Sequence, residues 1–400
     1  MKQRFSLYLL VLCLLLTACR GTSGQEFDDF QPMPGFDAQD QYMMTEAVRV
    51  QETEQFFCGG GLEFRYLHYY DKASGISGVL CDDPACSHYP DECRGYVGMG
   101  GAAGMSVSWY DGALYWVAPS EDSSDRNYYL WRDDLSGAGR EQVKRISYED
   151  FLMVYQPQWY TIHRGKLYFL GSANAVTEAD AGKRVTLVSI PLDEFEEPTV
   201  LYDNTGDSGY NAMVRFAGNS VYLSMEVWDD ESRLADLTIT KFDTTTGDAE
   251  VIYEETGIAE AVAGFWVTEQ SEVYLALQAY QLSGSVWKVE DGKRTEVISW
   301  EGDDFYIKLM DGIAANFTAE KQENGDYIRY VDIKNYAGET LYSGELFPEG
   351  IPGVSSITSF SVVGGDAEKI VLKLKDWDSG IKYMVMVDLS NMKPTVLWSE

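Results

Sequence analysis

The sequence predicts an all-β fold, a β-propeller built from four-stranded blades. A turn followed by a short apolar strand recurs along the chain, and further alternating strands, joined by polar turns, follow each copy. Beyond residue 44 the chain shows no convincing helical periodicity, apart from a candidate helical turn at 148–155. Four-stranded units repeated around a ring form a propeller, because radial closure protects the edge strands.

The repeat has two elements. The first, a turn and an apolar strand, occurs at residues 112–116, 165–169, 219–223 and 271–275, and more loosely at 368–372. The second is a hairpin turn in which Asp accepts bonds from backbone N–H groups and Gly supplies positive φ, as at 71–75, 133–137 and 243–247.

Counting the units predicts seven blades, with six or eight as alternatives because the first unit is degenerate. An open β-solenoid and two packed β domains are the rival architectures, and a meander of four strands per unit favours the propeller over both. The predicted blades lie near residues 45–82, 105–147, 157–203, 210–255, 262–300, 304–347 and 355–399.

The N-terminus predicts export and a lipid anchor. Residues 1–18 read as a signal peptide, with Lys2 and Arg4 before an apolar run at 5–16. That run is too short to span the roughly 30 Å hydrocarbon core as a helix. The segment ends in Leu-Thr-Ala-Cys19, which resembles a lipobox and implies diacylation (palmitate among the chains) of the Cys19 thiol. An ordinary signal peptide with a chance cysteine is the alternative.

Residues 19–44 predict a flexible tether, because they are rich in Gly, Gln, Asp and Pro and lack periodicity. Residues 45–400 then form the propeller domain. The expected partner of the anchor is a membrane, and the expected location is the extracytoplasmic face of the cell membrane. The chain holds 64 acidic and 31 basic residues, a net charge of −33, which excludes nucleic acid as a partner.

Two segments carry a resemblance to a known family. Residues 69–75 read Tyr-Tyr-Asp-Lys-Ala-Ser-Gly, and residues 80–93 contain a Cys-x4-Cys-x-His-x4-Cys pattern. With the lipobox, they make the chain similar to the β-propeller lipoproteins of Gram-positive anaerobes, whose blades are of the TolB and YWTD types. The resemblance implies a propeller and a lipid-anchored address, and it implies no activity.

Cys81, Cys86, His88 and Cys93 form the one dense set of potential metal ligands in the sequence. Three thiolates and an imidazole are enough for a closed tetrahedral site, so a structural zinc ion is one interpretation. Disulfides are the other, because thiols oxidise outside the cytoplasm and Cys58 adds a fourth candidate. Under either interpretation the cluster cross-links the loop that follows the first blade.

The sequence predicts no catalytic residue. It has three histidines and no nucleophile elbow, zincin motif or phosphate loop. Paired acids, which glycosidases use, occur at 194–197, 229–231, 303–304 and 376–378, and residues 203–209 offer oxygen ligands for Ca²⁺. Solvated turns are the alternative for each. Trp228 and Trp377, beside acidic loops, are the candidate surface aromatics.

The sequence therefore favours a non-enzymatic binding or scaffolding propeller in the envelope, with an envelope protein or a glycan as its unidentified partner. The alternative is an extracytoplasmic enzyme that acts on glycans or cell-wall polymers through paired carboxylates. A pocket containing converging acids would favour the enzyme.

Overall fold

The computed structural model describes residues 49–400, except 62–63, 82, 84, 90–92, 94, 97–106, 121–127, 134–139, 147–158, 174–183, 193–198, 206–208, 230, 280–282, 303–305 and 324–326. These residues belong to one compact unit, Gly35–Glu400. The predicted signal peptide (1–18), the lipidation site Cys19, the tether (19–44) and the candidate helical turn (148–155) lie outside the described residues. In the part described, no helix is long and apolar enough to cross a membrane.

The described strands form seven antiparallel sheets, each a meander of four consecutive strands. The strands of the first three blades are β1 Arg49–Glu52, β2 Phe56–Gly61, β3 Phe64–Asp71, β4 Ser77–Val79, β5 Ser108–Tyr110, β6 Ala113–Pro119, β7 Tyr128–Asp133, β8 Glu141–Arg145, β9 Trp159–His163, β10 Lys166–Ala173, β11 Arg184–Pro191 and β12 Thr199–Thr205.

The strands of blades 4 and 5 are β13 Gly209–Ala217, β14 Ser220–Trp228, β15 Ala235–Asp243, β16 Ala249–Ile258, β17 Ala261–Val267, β18 Val273–Ala279, β19 Ser283–Glu290 and β20 Lys293–Glu301. Those of blades 6 and 7 are β21 Ile307–Met310, β22 Ile313–Lys321, β23 Tyr327–Asn335, β24 Thr340–Glu345, β25 Ile357–Gly365, β26 Lys369–Asp376, β27 Lys382–Asp388 and β28 Lys393–Ser399. Seven blades are confirmed. Blades 1, 2, 6 and 7 lie within the predicted ranges, whereas blades 3, 4 and 5 extend beyond theirs by at most three residues at either end.

Turn chemistry fixes the hairpins as the sequence predicts. Between the first two strands of blades 2 and 3, Asp111-Gly112 and Arg164-Gly165 adopt positive φ (46° and 72°, 47° and 75°), which two-residue type I′ turns require. Between the third and fourth strands of blade 4, the Asp243 carboxylate accepts bonds from the Thr245 and Thr246 amides at 2.7 and 3.0 Å. These bonds lower the pKa of Asp243.

A register shift recurs between the third and fourth strands of blades 2 to 7. Such β-bulges increase the local right-handed twist of a strand. The fourth strand is the outermost of each blade, so the repeated bulge adds to the twist that each blade carries away from the centre.

Hydrophobic clusters join consecutive blades all the way around the described ring. There is one cluster for each of the seven neighbouring pairs, and each draws on strands of both blades. Trp116 and Trp266 are fully buried in two of them, so large aromatic residues fill the wedges between these blades.

The ring closes between blade 7 and blade 1 without a shared strand, since every sheet consists of consecutive strands. Val50 and Phe57 of blade 1 pack in one cluster with Leu397 and Trp398 of blade 7. The His68 ring stacks on Trp398, with centroids 5.8 Å apart and planes within 4°. Side-chain packing therefore holds the seam together.

Candidate functional site

The predicted metal ligands come together in the structure. One ligand atom from each of Cys81, Cys86, His88 and Cys93 lies within 4.8 Å of all the others. All four belong to the segment that follows β4 in blade 1. The structure therefore contains a Cys₃His group that can hold a metal ion, as the spacing predicted.

Strand β3 anchors both ends of the segment. The Leu80 amide donates to the Leu67 carbonyl at 2.7 Å, and the Leu67 amide donates to the Gly95 carbonyl at 2.8 Å. Tyr66 forms an isolated antiparallel bridge with Tyr96 beside it. Gly95 and Tyr96 thus extend the sheet edge that begins with β4, and their pairing with β3 fixes the positions of Cys81 and Cys93.

Gly95 permits that return because its backbone lies against the chain that leaves β4. A Cβ atom at this position would lie 2.6 Å from Cγ1 of Val79 and 2.7 Å from the Leu80 carbonyl oxygen. The oxygen belongs to the backbone and cannot turn away. Only glycine fits this approach.

Local hydrogen bonds aim the ligands at one another. The Cys86 amide donates to the Asp83 carbonyl at 3.1 Å, and the His88 amide donates to Cys86 Sγ at 3.3 Å. His88 adopts a left-handed φ of 54°, and its Nδ1 lies 3.3 Å from Cys93 Sγ. The Tyr66 hydroxyl donates to the His88 carbonyl oxygen. Side chains and backbone therefore both hold the imidazole beside the buried thiol.

The electrostatics of the group call for a cation. Burial, and then the neighbouring Cys86 and Cys81 thiols, raise the pKa of the Cys93 thiol to about 12. A buried thiol with such neighbours ionises at neutral pH only beside a positive charge. A divalent metal ion supplies that charge and deprotonates the thiols that bind it.

Cys58 lies apart from the ligand group. It is in β2, 1% exposed, and packs in the core between blades 1 and 2 with Leu67, Leu114 and Trp116. Burial raises the pKa of its thiol far above the usual range. Among the described residues, the Cys58, Cys86 and Cys93 thiols form no disulfide. The disulfide interpretation of Cys58 and the cluster stays a prediction.

The predicted acid pairs that the structure describes are tied into turns. Asp376 is 2% exposed, and its carboxylate accepts bonds from the Ser355, Ser356 and Ser379 amides and from two serine hydroxyls. These bonds lower its pKa well below the usual range. Asp229 likewise accepts from the Glu231 and Ser232 amides. Residues 194–197, 206–208, 230 and 303–304 lie outside the described residues.

Two histidines also have structural partners. His68 Nε2 lies 3.2 Å from a Glu400 carboxylate oxygen, in the seam between blades 7 and 1. His163 Nε2 lies 2.8 Å from the Gly218 carbonyl oxygen, and its ring stacks on Phe216 with centroids 4.5 Å apart. Both side chains connect neighbouring blades. Of the candidate surface aromatics, Trp377 is 71% exposed.

A second candidate site, missed by the sequence reasoning, is a cavity of about 480 Å³ at the junction of blades 6 and 7. Tyr306, Phe317 and Phe360 form its aromatic wall, with ring centroids 5.2 to 6.0 Å apart. Arg329 also lines it, and its guanidinium carbon lies 5.4 Å from the centre of the Phe360 ring. The cavity has the size and aromatic lining typical of small-ligand sites.

No protein-family model and no curated protein matches this sequence. Among solved structures, a prolyl endopeptidase matches with a TM-score of 0.54 at 13% identity, over 91% of this chain and 51% of the peptidase. The chain thus spans about half the length of that enzyme. At such identity the similarity shows the fold alone.

Two further structures match at lower TM-scores. The polysaccharide lyase Uly1 has a TM-score of 0.49 at 10% identity, over 92% of this chain and 94% of the lyase. TolB from Acinetobacter baumannii has a TM-score of 0.39 at 12% identity, over 88% of this chain and 78% of TolB.

Proposed function

We propose that this chain is a lipid-anchored, extracytoplasmic propeller that binds a small ligand, or the ligand-bearing part of a larger partner, without converting it. The cavity between blades 6 and 7 carries this proposal. Its described walls combine four aromatic residues with one cation, groups that hold a ligand by stacking and charge. The alternative, an enzyme that uses paired carboxylates, would instead need two acids at a fixed separation in the site.

The experiment compares retention with turnover. The full chain, purified from membranes in mild detergent, is incubated with a mixture of cell-wall glycan oligomers and peptides, and both the bound and free fractions are analysed by mass spectrometry. We expect compounds to be retained and recovered at unchanged mass. Shortened or modified products that accumulate with time would instead support the alternative, an enzyme of the envelope.

The anchor is tested in the same material. Cys19→Ser removes the thiol that the lipid would modify, so we expect this variant to leave the membrane fraction and to lack the mass of a diacylglycerol group. Retention of the variant in the membrane, with an unchanged mass, would contradict lipidation at Cys19.

We further propose that the Cys₃His group binds one structural zinc ion. Four protein ligands fill a tetrahedral shell and leave no open position for a substrate, and the observed ligand set of three sulfurs and one nitrogen suits zinc. The ion would fasten the segment after β4 to blade 1. Its chemistry there is structural, because every coordination position is taken by the chain.

Elemental analysis and thiol counting test the zinc proposal. Protein purified anaerobically without added metal should contain about one zinc per chain, and Cys86→Ser should lose it. Cys58→Ala is the matched control, because Cys58 lies outside the ligand group and should keep the zinc. Zinc-free protein with no reactive thiols would establish the disulfide interpretation in its place.

A further inference from the structure

The cavity between blades 6 and 7 has an uncompensated cation in its wall. Arg329 is half-buried, and burial lowers the pKa of its guanidinium. Among the described residues no carboxylate pairs with it, although acids outnumber bases 64 to 31 in this chain. By contrast, Arg132 lies 3.0 Å from Glu141, and Arg294 lies 3.0 Å from Glu255.

The guanidinium is held in place with most of its donors unused. Of its five N–H groups, one on Nη2 donates to the Ile357 carbonyl at 3.1 Å. Its Nε is buried and has no hydrogen-bond partner among the described groups. A cation–π contact with the Phe360 ring also helps to hold the group in position. A buried cation with unused donors costs folding free energy, and an anion that accepts from them offsets that cost.

The aromatic wall limits the kind of anion that fits. Phe317 is 4% exposed and contacts both the Tyr306 and the Phe360 ring, so these two half-buried rings supply the accessible apolar faces of the wall. Thr318 and Ser361 add polar atoms to the lining. A single guanidinium beside aromatic faces suits a planar carboxylate on a flat body better than a phosphate, which several cations usually bind.

Two further charged groups, of opposite sign, contact residues that line the cavity. The Lys308 ammonium lies 4.7 Å above the Tyr306 ring. The Glu320 carboxylate lies 3.3 Å from the hydroxyl of Tyr330, which also lines the cavity. Arg329 is therefore the one charged residue in the described lining, while the charges of Lys308 and Glu320 beside that lining balance each other. This arrangement favours a ligand with one negative charge.

We propose that this cavity binds a monocarboxylate carried on a ring-shaped body, with Arg329 as the carboxylate receptor and the Tyr306 and Phe360 rings, backed by Phe317, as the platform. The inference rests on the binding function proposed above and names the chemistry of the ligand. A uronic acid and the C-terminus of a peptide ending in an aromatic residue both carry this chemistry. The test distinguishes them.

The first measurement uses benzoate as the probe and the full chain in detergent. Titration calorimetry should show saturable binding of benzoate, and benzamide, its neutral isostere, should bind at least tenfold more weakly because charge-assisted bonds are lost. Arg329→Gln should weaken benzoate binding by about tenfold to a hundredfold. Arg294→Gln is the matched control and should leave benzoate binding unchanged, because Arg294 pairs with Glu255 in another blade.

Folding of the variants is checked by their thermal unfolding. If Arg329→Gln fails to fold, NMR of the wild-type protein still tests the inference. The readout is the Arg329 Nε–Hε resonance, which is assigned by comparison with Phe360→Leu, a variant that lacks the ring beside Arg329. We expect that resonance to shift with benzoate and to stay in place with benzamide. Equal binding of the two probes, or a resonance unmoved by saturating benzoate, would overturn the inference.

Glucuronate and N-acetylphenylalanine then separate the two sources of the carboxylate. Displacement of benzoate by glucuronate identifies a sugar acid, and displacement by N-acetylphenylalanine identifies a peptide terminus. If none of these carboxylates binds, while intact oligomers are still retained in the experiment that compares retention with turnover, this inference is rejected. The proposed binding function then remains. Product formation in that experiment would reject the binding function instead.

Discussion

Asp311 shows how the propeller changes the chemistry of a single turn residue. It follows β21, and its amide donates to the Gly365 carbonyl of blade 7 at 3.0 Å. Burial, and then the nearby Glu269 and Asp366 carboxylates, raise the pKa of Asp311 to about 6, while Lys369 opposes them. The folded protein therefore binds this proton more tightly than the unfolded chain does. Its stabilising effect is present at low pH and is lost as the pH rises through about 4 to 6.

Asp311→Asn should remove that pH dependence. At pH 7 we expect the variant to be more stable than the wild type by about 1–2 kcal/mol, because the amide carries no charge. The effect stays this small because solvent partly screens the half-buried site. Near pH 4 the advantage should almost vanish, since the carboxyl is protonated there. Urea unfolding at the two pH values measures it. Asp291→Asn, in an exposed turn, is the control; a constant advantage at both pH values would contradict the argument.

Residue spacing explains which parts of the sites could be predicted from the sequence. Cys81, Cys86, His88 and Cys93 share one short segment, so their spacing alone indicates a ligand group. Arg329 and Phe360 meet only because blades 6 and 7 pack together. A lone arginine in an alternating strand gives no local signal of such a neighbour. The cavity therefore depends on tertiary packing that the repeat pattern does not encode.

At the scale of elements, the repeat made the blades predictable. Each blade needs the same turn chemistry and the same alternation, so Asp and Gly recur at equivalent turns, such as Asp243 and Gly247. The first blade is the exception, because its fourth strand, Ser77–Val79, is short and the ligand segment continues that edge. Because this segment takes the place of a full-length fourth strand, the first unit of the repeat is degenerate in sequence.

Gly95→Ala tests how the ligand segment and blade 1 depend on each other. The added Cβ would meet the Leu80 carbonyl, so the backbone must shift and the Leu67–Gly95 hydrogen bond must lengthen or break. We expect a loss of about 1–3 kcal/mol in stability and a zinc affinity at least tenfold lower, because Cys93 moves with that backbone. Unfolding in urea and competition with a zinc chelator measure the two effects.

Gly78→Ala is the control for this prediction. Gly78 lies in β4 of the same blade, and a Cβ there would lie 3.3 Å from the Tyr69 ring, which can turn away. Zinc affinity should therefore stay at the wild-type level in this variant. An unchanged zinc affinity in Gly95→Ala as well would show that the return of the chain to β3 does not position Cys93.

At the scale of the whole molecule, the seam between blades 7 and 1 differs from the other six junctions. Blade 1 and blade 7 have no linking loop between them, whereas every other neighbouring pair is joined by the chain. A linking loop keeps two surfaces at high effective concentration after they separate. The described seam has its hydrophobic cluster, the His68–Trp398 stack and the ion pair of Lys369 with Glu52 at 3.1 Å. With the His68–Glu400 contact at 3.2 Å, these interactions oppose local opening without the help of a linking loop.

Trp398→Ala should therefore open the ring locally, whereas Trp266→Ala should not. Both side chains are buried, at 2% and 0% exposure, so each truncation costs about 3–5 kcal/mol. Hydrogen exchange followed by mass spectrometry should show faster exchange confined to blades 1 and 7 for Trp398→Ala. In Trp266→Ala the linked blades 5 and 6 re-form their junction, so exchange should rise throughout the ring as the global stability falls. Indistinguishable exchange patterns would show instead that the seven junctions open as one cooperative unit, and that the missing linking loop at the seam has no local effect.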